Sequence, residues 1–326
     1  MNLRGRVRDL WLPLLLWAVI PLSAAAEQPI QVLRLDYAYY SPASLVLKHF
    51  GWVEQAFKPD GVSVSWVFSA GSNRALEYLN SRSVDFGSTA GLAAVLSRAN
   101  GNPVKAVYVY SRPEWVALVV ARGAPLRSVA DLRGRKVAAT LGTDAYLFLL
   151  RALQEAGLHK NDVEIVNLQH ADGRAALEQG RVDAWAGLDP MMAASELESG
   201  SRLIYRNVRF NSFGVLDVSD SFDAEHPSYV RRVLAEYERA RKWILAHPDE
   251  TAALLAAESH ISLPVAKLQL SRNDFSNPVP DAAYVRALKA AGPLLTEDGL
   301  VRPGTDVNRA IDTLIDVRFA QALPRE

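Results

Sequence analysis

Short apolar runs of strand type alternate with helix-like runs along the first two thirds of the chain. The strand-like runs include V-L-R-L-D-Y-A (32–38), V-S-V-S-W-V-F (62–68), V-K-A-V-Y-V-Y (104–110), W-V-A-L-V-V-A (115–121) and V-E-I-V-N-L (163–168). Amphipathic helices are predicted over 44–57 and 145–157. This alternation predicts an α/β fold with mostly parallel sheets flanked by helices. From about Pro227 the spacing becomes that of helices, so the last third is expected to be a helical cover.

A weak internal echo suggests two similar lobes. Leu79, Val84 and Asp85 recur with the same spacing as Leu177, Val182 and Asp183. Each triplet lies in a separate strand–helix–strand block. A chain of 326 residues also exceeds the usual size of a single core, so two lobes are expected.

The first 26 residues have the pattern of a secretory signal peptide. Arg4, Arg6 and Arg8 precede the apolar run W-L-P-L-L-L-W-A-V-I-P-L, and three alanines at 24–26 end the segment. The apolar run is short for a membrane span, which needs about 20 residues. We therefore expect an exported chain beginning near Glu27. Because no cysteine follows the run, attachment as a lipoprotein is not expected.

Composition excludes several classes of function. Lysine and arginine together number 36 and aspartate and glutamate 36, so nothing favours a nucleic-acid partner. The absence of cysteine excludes disulfides, thiolate metal sites and cysteine nucleophiles.

Three strand-to-helix junctions are built from small polar residues: S-A-G-S-N (69–73), G-S-T-A-G (87–91) and L-G-T-D-A (141–145). Each presents free N–H groups at the positive end of a helix, with hydroxyls beside them. If they meet in one cleft, they would bind an oxyanion such as a sulfonate, sulfate, nitrate or carboxylate without a full positive charge. Ordinary N-capping explains the same residues without a ligand.

No pattern of a catalytic or metal site is found. The sequence lacks G-x-x-x-x-G-K-[ST], and Ser88 directly follows Gly87, whereas a nucleophile elbow requires G-x-S-x-G. The six histidines lack ligand spacing, and only His170 falls near a predicted strand end. Catalytic residues, metal ligands and cofactors are therefore not predicted.

Several aromatic residues lie near strand ends and either line a pocket or pack in the core. They are Tyr39, Tyr40, Trp115, Trp185 and Phe213. Asp189 either caps the helix that follows Pro190 or faces the cleft.

Seven motifs in order resemble a known family. They are Y-S-P, S-A-G-S-N, V-D-F-G-S-T-A-G, A-D-L-R-G-R-K-V-A, L-G-T-D-A-Y, G-R-V-D-A-W-A-G-L-D-P and F-N-S-F-G-V-L. Together they resemble the periplasmic solute-binding proteins of nitrate, sulfonate and taurine ABC importers, most closely the aliphatic-sulfonate branch. The resemblance runs from about residue 31 to 250.

The resemblance implies a two-lobed periplasmic binding protein of type II with the ligand in a cleft between the lobes. Lobe 1 would comprise 27–112 and 212–326, and lobe 2 would comprise 113–211. The chain would be a periplasmic monomer that delivers a small organic oxyanion to an ABC permease and its ATPase. The ligand-binding residues carried over are Tyr40, Ser41, Ser69, Gly71, Ser88, Thr89, Trp115, Gly142, Thr143 and Asp189.

Asp144 departs from the small hydroxyl residue often found at its position in this family. A carboxylate beside a bound anion is unfavourable unless it caps a helix, pairs with a cation or meets an amino group of the ligand. The last possibility would favour an aminosulfonate. Alternatives for the whole protein are an enzyme related to pyrimidine-precursor synthases, a detached sensor, or a binder of nitrate, taurine or a pyrimidine.

Overall fold

The computed structural model describes residues 27–324, so the predicted signal peptide lies outside the described residues. Within 27–324, no helix is both long enough and apolar enough to cross a membrane.

The first of two sheets has six strands in the order β11-β4-β10-β3-β1-β2. Its strands are β1 (Val32–Tyr37), β2 (Ser63–Phe68), β3 (Phe86–Ala90), β4 (Val104–Pro113), β10 (Gly214–Ser219) and β11 (Asn273–Asp274). Residues of β3 and β10 are buried almost throughout, because helices cover both faces of this part of the sheet.

The second sheet has five strands in the order β7-β6-β8-β5-β9. They are β5 (Val116–Val120), β6 (Lys136–Ala139), β7 (Glu164–Asn167), β8 (Ala184–Leu188) and β9 (Arg202–Arg206). The chain passes from the first sheet to the second between β4 and β5 and returns between β9 and β10. The limits expected for the two lobes stay a prediction.

Fourteen α-helices in the described residues surround the sheets. They are α1 (Pro42–Phe50), α2 (Trp52–Phe57), α3 (Ser72–Asn80), α4 (Gly91–Ala99), α5 (Asp144–Glu155), α6 (His170–Glu178), α7 (Met191–Ser199), α8 (Asp220–Glu225), α9 (Pro227–Ala246), α10 (Pro248–Ser259), α11 (Leu263–Ser271), α12 (Ala282–Glu297), α13 (Val307–Leu314) and α14 (Arg318–Gln321).

Three local expectations need correction. The helix expected over 44–57 is two helices, because Gly51 takes a left-handed conformation (φ 61°) that ends α1. The sheets are mixed, with four parallel and five antiparallel strand pairs, because β5 and β10 both run against their neighbours. The predominantly helical last third also contributes β11, which pairs with the end of β4.

The internal echo has a structural counterpart in each sheet. Asp85 accepts a 2.7 Å hydrogen bond from the backbone N–H of Arg34, in β1. Asp183 accepts a 2.8 Å hydrogen bond from the backbone N–H of Lys136, at the start of β6. In both places an aspartate before a strand binds the backbone of the neighbouring parallel strand, so the repeated letters mark equivalent positions.

Candidate ligand-binding site

A cavity of about 160 Å³ lies where four strand-to-helix junctions from the two sheets meet. The junctions follow β1 and β2 in the first sheet and β7 and β8 in the second. Ligands of α/β proteins bind beyond the carboxyl ends of strands, so this is the expected place for a site. The lining residues are Tyr39, Tyr40, Phe68, Ser69, Ala70, Gln169, His170, Ala171, Leu188, Asp189, Pro190 and Met191.

Three helices begin at this cavity: α3 at Ser72, α6 at His170 and α7 at Met191. The first N–H groups of a helix have no acceptor within the helix and carry a partial positive charge. The residues that line the cavity include no lysine or arginine. The helix ends thus give this cavity a partial positive charge, and anion binding by S-A-G-S-N stays a prediction.

Ser69 and Gly71 lie at the start of α3, on the side of the first sheet. The Ser69 side chain is buried, and its Oγ makes no hydrogen bond of good geometry within residues 27–324. The hydroxyl nevertheless lies close enough to the buried Asp36 carboxylate to offset part of the rise in the pKa of Asp36. A Cβ on Gly71 would lie 2.9 Å from Asn73 Oδ1 and 3.3 Å from His170 Nε2. Gly71 thus allows the start of α3 to approach the start of α6 across the cleft.

Tyr40 lines the cavity, whereas Ser41 and Ser88 are buried behind it. The Tyr40 hydroxyl donates to the Ser88 carbonyl at 3.0 Å, and Ser88 Oγ donates to Ser41 Oγ at 3.4 Å. The Ser88 N–H donates to Asp36 at 2.7 Å, and burial raises the pKa of Asp36 to about 6. These bonds hold the floor of the site, and direct contact of Ser41 or Ser88 with a ligand stays a prediction.

Thr89, Gly142 and Thr143 are not among the residues that line this cavity. Thr89 Oγ1 donates to Asp217 at 2.6 Å, and Thr143 Oγ1 donates to the carbonyl of Thr140 at 2.7 Å. Gly142 faces Asn73 at the rim of another surface cavity, of about 220 Å³. The junction 141–145 is thus separated from the cavity, and a role for these three residues in binding stays a prediction.

Trp115 also lies outside the cavity lining, but it packs against Tyr40, which is part of that lining. Its ring meets Tyr40 edge to face at 6.0 Å, and its indole N–H donates to Asp144 at 2.8 Å. Asp144 further accepts bonds from the N–H and Oγ of Ser212, at 3.0 and 2.7 Å. The carboxylate therefore bonds to both segments that connect the sheets.

The hypothesis that Asp144 meets an amino group of the ligand is wrong. Asp144 is almost fully buried, and both its oxygens are bonded to Trp115 and Ser212. Burial raises the pKa of this carboxyl to about 6, against the donors that favour its charged form.

Asp189 both caps a helix and lines the cavity. Its Oδ1 accepts the N–H of Ala193 at 2.9 Å, in the first turn of α7. The guanidinium of Arg272 lies 3.1 Å away, and both side chains are almost inaccessible. Burial raises the pKa of Asp189 to about 6, against the opposing charge of Arg272. Arg272, whose backbone carbonyl accepts from Glu114, is a supporting residue that sequence reasoning missed.

His170 lines the cavity. From the sequence, only its position near a predicted strand end could be inferred. The ring is 4% exposed, and its Nδ1 lies 3.3 Å from Thr140 Oγ1. Its Nε2 lies next to Gly71, and no hydrogen-bond partner for this nitrogen is found in the described chain. Burial lowers the pKa of His170 to about 4, so the ring is neutral at pH 7.

The aromatic candidates divide between the site and the cores. Tyr39 and Phe68 form an apolar wall, with ring centroids 4.7 Å apart, and Phe68 is 37% exposed. Trp185 instead packs over Gly173 in the core of the second sheet. Phe213 stacks on Tyr284 at 5.0 Å, away from the cavity.

Other features of the described chain are weaker candidates. A cavity of about 530 Å³ lies beside α9, but Glu238 and Arg241 in its lining bind each other at 2.6 Å, and Asp281 pairs with Arg112 at 3.3 Å. Within residues 27–324, no group of three or more His, Asp or Glu side chains is arranged to hold a metal ion.

Comparison with known proteins links this geometry to one family. Residues 51–251 match the model of the family described as NMT1/THI5 like. A protein of Escherichia coli K12 that carries the name of an aliphatic sulfonates-binding protein is 32% identical over 299 residues, covering 91% of this chain and 93% of that protein.

Two solved structures share the fold over most of their length. The alkanesulfonate-binding protein SsuA from Xanthomonas axonopodis pv. citri, bound to MOPS, aligns with a TM-score of 0.80 and 25% identity, over 87% of this chain and 98% of that one. The periplasmic aliphatic sulphonate binding protein SsuA from Escherichia coli aligns with a TM-score of 0.74 and 29% identity, over 86% and 92%.

Proposed function

The chain belongs to the NMT1/THI5-like family, and on that premise we propose that it is the periplasmic substrate-binding component of an ABC importer for aliphatic sulfonates. The observation that carries this proposal is the cavity at the starts of α3, α6 and α7. Helix N-termini and the Ser69 hydroxyl suit a sulfonate group, and the sulfonate-binding relatives cover nearly the whole chain.

The sulfonate head would lie at the start of α3. There it would accept hydrogen bonds from Ser69 Oγ and from the first N–H groups of the helix. The alkyl part would contact Tyr39, Phe68 and Met191. Such a cavity places polar groups at one end and apolar surface at the other, which matches an amphipathic small molecule.

Closure would bring the two sheets together around the ligand by rotation about the two connecting segments. The protein would then present its closed form to the permease, which distinguishes it from the open one. Of the residues implied by the resemblance, Tyr40, Ser69 and Asp189 line the cavity and would face the ligand. Gly71 is not among the lining residues, and it would act through the close approach of α3 to α6. We propose that Ser41, Ser88 and Trp115 hold that surface in place.

We propose binding without turnover. The full sequence contains no cysteine to act as a nucleophile. Within residues 27–324, no serine, threonine or tyrosine hydroxyl is bonded to Nε2 of His170, so this imidazole has no protein nucleophile to activate. We propose an exported location, which is supported by the periplasmic relative and by the predicted signal peptide.

The proposal is tested by native mass spectrometry of purified protein, followed by calorimetry against alkanesulfonates, taurine, sulfate esters, nitrate and neutral pyrimidines. We expect 1:1 binding of at least one sulfonate with no product formed. Turnover of any compound would overturn the receptor assignment, and binding of a pyrimidine alone would overturn the ligand class.

A further inference from the structure

The protonation of His170 can be deduced from its neighbours. Thr140 Oγ1 donates its single hydrogen to the carbonyl of Leu168 at 2.7 Å. A carbonyl cannot donate, so toward His170 the same oxygen can only accept. Nδ1 of His170, 3.3 Å from Thr140 Oγ1, therefore carries the hydrogen.

A neutral imidazole with its hydrogen on Nδ1 has a lone pair on Nε2. That atom is buried and without a partner in the described chain, although the ring lines the cavity. A buried acceptor without a hydrogen bond is unfavourable, so a ligand that donates a hydrogen bond to Nε2 would be stabilised. Its nearest surroundings are Gly71 and the start of α3, where the sulfonate is placed.

The two sides of the cavity thus have complementary polarity. The α3 side offers donors, namely Ser69 Oγ and the first N–H groups of the helix. The opposite side offers one unsatisfied acceptor, His170 Nε2, because both oxygens of Asp189 already accept from Ala193 and Arg272. A simple alkanesulfonate satisfies only the first side.

We propose that His170 is a specificity-determining residue that selects sulfonates carrying a hydrogen-bond donor, such as a hydroxyl or amino group, near the sulfonate. This inference rests on the proposed function. It assigns the selection to His170 and Thr140 rather than to Asp144.

The experiment compares ethanesulfonate, 2-hydroxyethanesulfonate and 2-aminoethanesulfonate by calorimetry at pH 7.5 on the full chain. Wild type should bind the donor-bearing pair about tenfold more tightly than ethanesulfonate, the size expected for one buried hydrogen bond. His170→Phe, which keeps a ring but loses the acceptor, should bind all three within about twofold of one another.

Thr140→Val tests the tautomer separately. Without the Thr140 oxygen, the hydrogen can move to Nε2, so the preference for donor-bearing ligands should fall while ethanesulfonate binding is retained or improved. His49→Phe, at an exposed histidine of α1, is the matched control and should keep the wild-type preference.

The outcomes are distinct. Loss of the preference in His170→Phe and Thr140→Val, but not in His49→Phe, supports the assignment. Equal binding of the three sulfonates by wild type overturns it and leaves the proposed function intact. Ethanesulfonate binding with uptake of one proton, measured in two buffers of different ionisation enthalpy, would also overturn it, because His170 would then act as a cation. Failure to bind any sulfonate would overturn both proposals.

Discussion

The indole N–H of Trp115 donates a 2.8 Å hydrogen bond to Oδ2 of Asp144, which joins the residue before β5 to the first residue of α5. The same oxygen accepts the N–H of Ser212, in the segment that returns to the first sheet. Ser212 Oγ in turn accepts the N–H of Leu92, in α4. One buried carboxylate therefore ties both connecting segments to the two halves of the fold.

Replacing Asp144 with alanine should lower the free energy of unfolding by about 2–3 kcal/mol, because buried donors of Trp115 and Ser212 lose their acceptor. Urea denaturation monitored by fluorescence measures the change. Asp312→Ala is a suitable control, since its pair with Lys289 is exposed and should contribute less than about 1 kcal/mol. Equal effects of the two substitutions would contradict the role given to Asp144.

Arg272 balances the buried charge of Asp189 at the cavity wall. Arg272→Met should destabilise the protein by about 3 kcal/mol, because it leaves a buried carboxylate unpaired. Adding Asp189→Asn to that variant should recover a large part of the loss. Thermal unfolding of wild type, both single variants and the double variant gives the coupling, and simple additivity of the two losses would disprove it.

The repeated aspartates should behave alike and independently. Asp85→Ala and Asp183→Ala each remove a bond to a neighbouring strand, so each should cost about 1–2 kcal/mol. Because the two lie in different sheets, the double variant should show the sum within about 0.5 kcal/mol. Denaturant unfolding of the three variants checks this, and a negligible cost for either one would show that the echo is coincidental.

His170 should make stability depend on pH in a definite direction. Burial lowers its pKa from 6.5 to about 4, so between these values the unfolded chain binds a proton that the folded chain does not. The contribution of His170 to the free energy of unfolding is therefore complete above pH 6.5 and is lost as the pH falls toward 4. The advantage of wild type over His170→Gln should therefore shrink by about 3 kcal/mol between pH 7.5 and pH 4.

Denaturant unfolding at several pH values measures this advantage, and the other titrating groups cancel because both proteins share them. A wild-type advantage that grows on acidification would show that His170 is charged in the folded protein.

Periodicity predicted the fold class well because strands and helices bury their apolar faces at different spacings. It missed the antiparallel entry of β10, since strand direction depends on where the chain crosses between sheets and leaves no local signal. The break at Gly51 was also missed, because glycine inside an apolar helical pattern is compatible with either a continuous or an ended helix.

At the site, the sequence indicated that S-A-G-S-N and Asp189 lie at helix N-termini, because polar residues after strands are typical of such positions. It could not separate Ser69, which lines the cavity, from Ser88, whose hydroxyl is bonded to Ser41 behind it. That distinction depends on residues far apart in sequence. The same holds for Asp144, whose partners Trp115 and Ser212 come from both connecting segments.

The central claim is that the hydroxyl of Ser69 and the start of α3 bind the sulfonate group. Calorimetric titration of wild type, Ser69→Ala and Ser88→Ala with 2-hydroxyethanesulfonate tests it most directly. We predict 1:1 binding to wild type, affinity about tenfold weaker for Ser69→Ala, and a change of less than about threefold for Ser88→Ala. Undiminished binding by Ser69→Ala, with a large loss in Ser88→Ala, would contradict this placement of the anion.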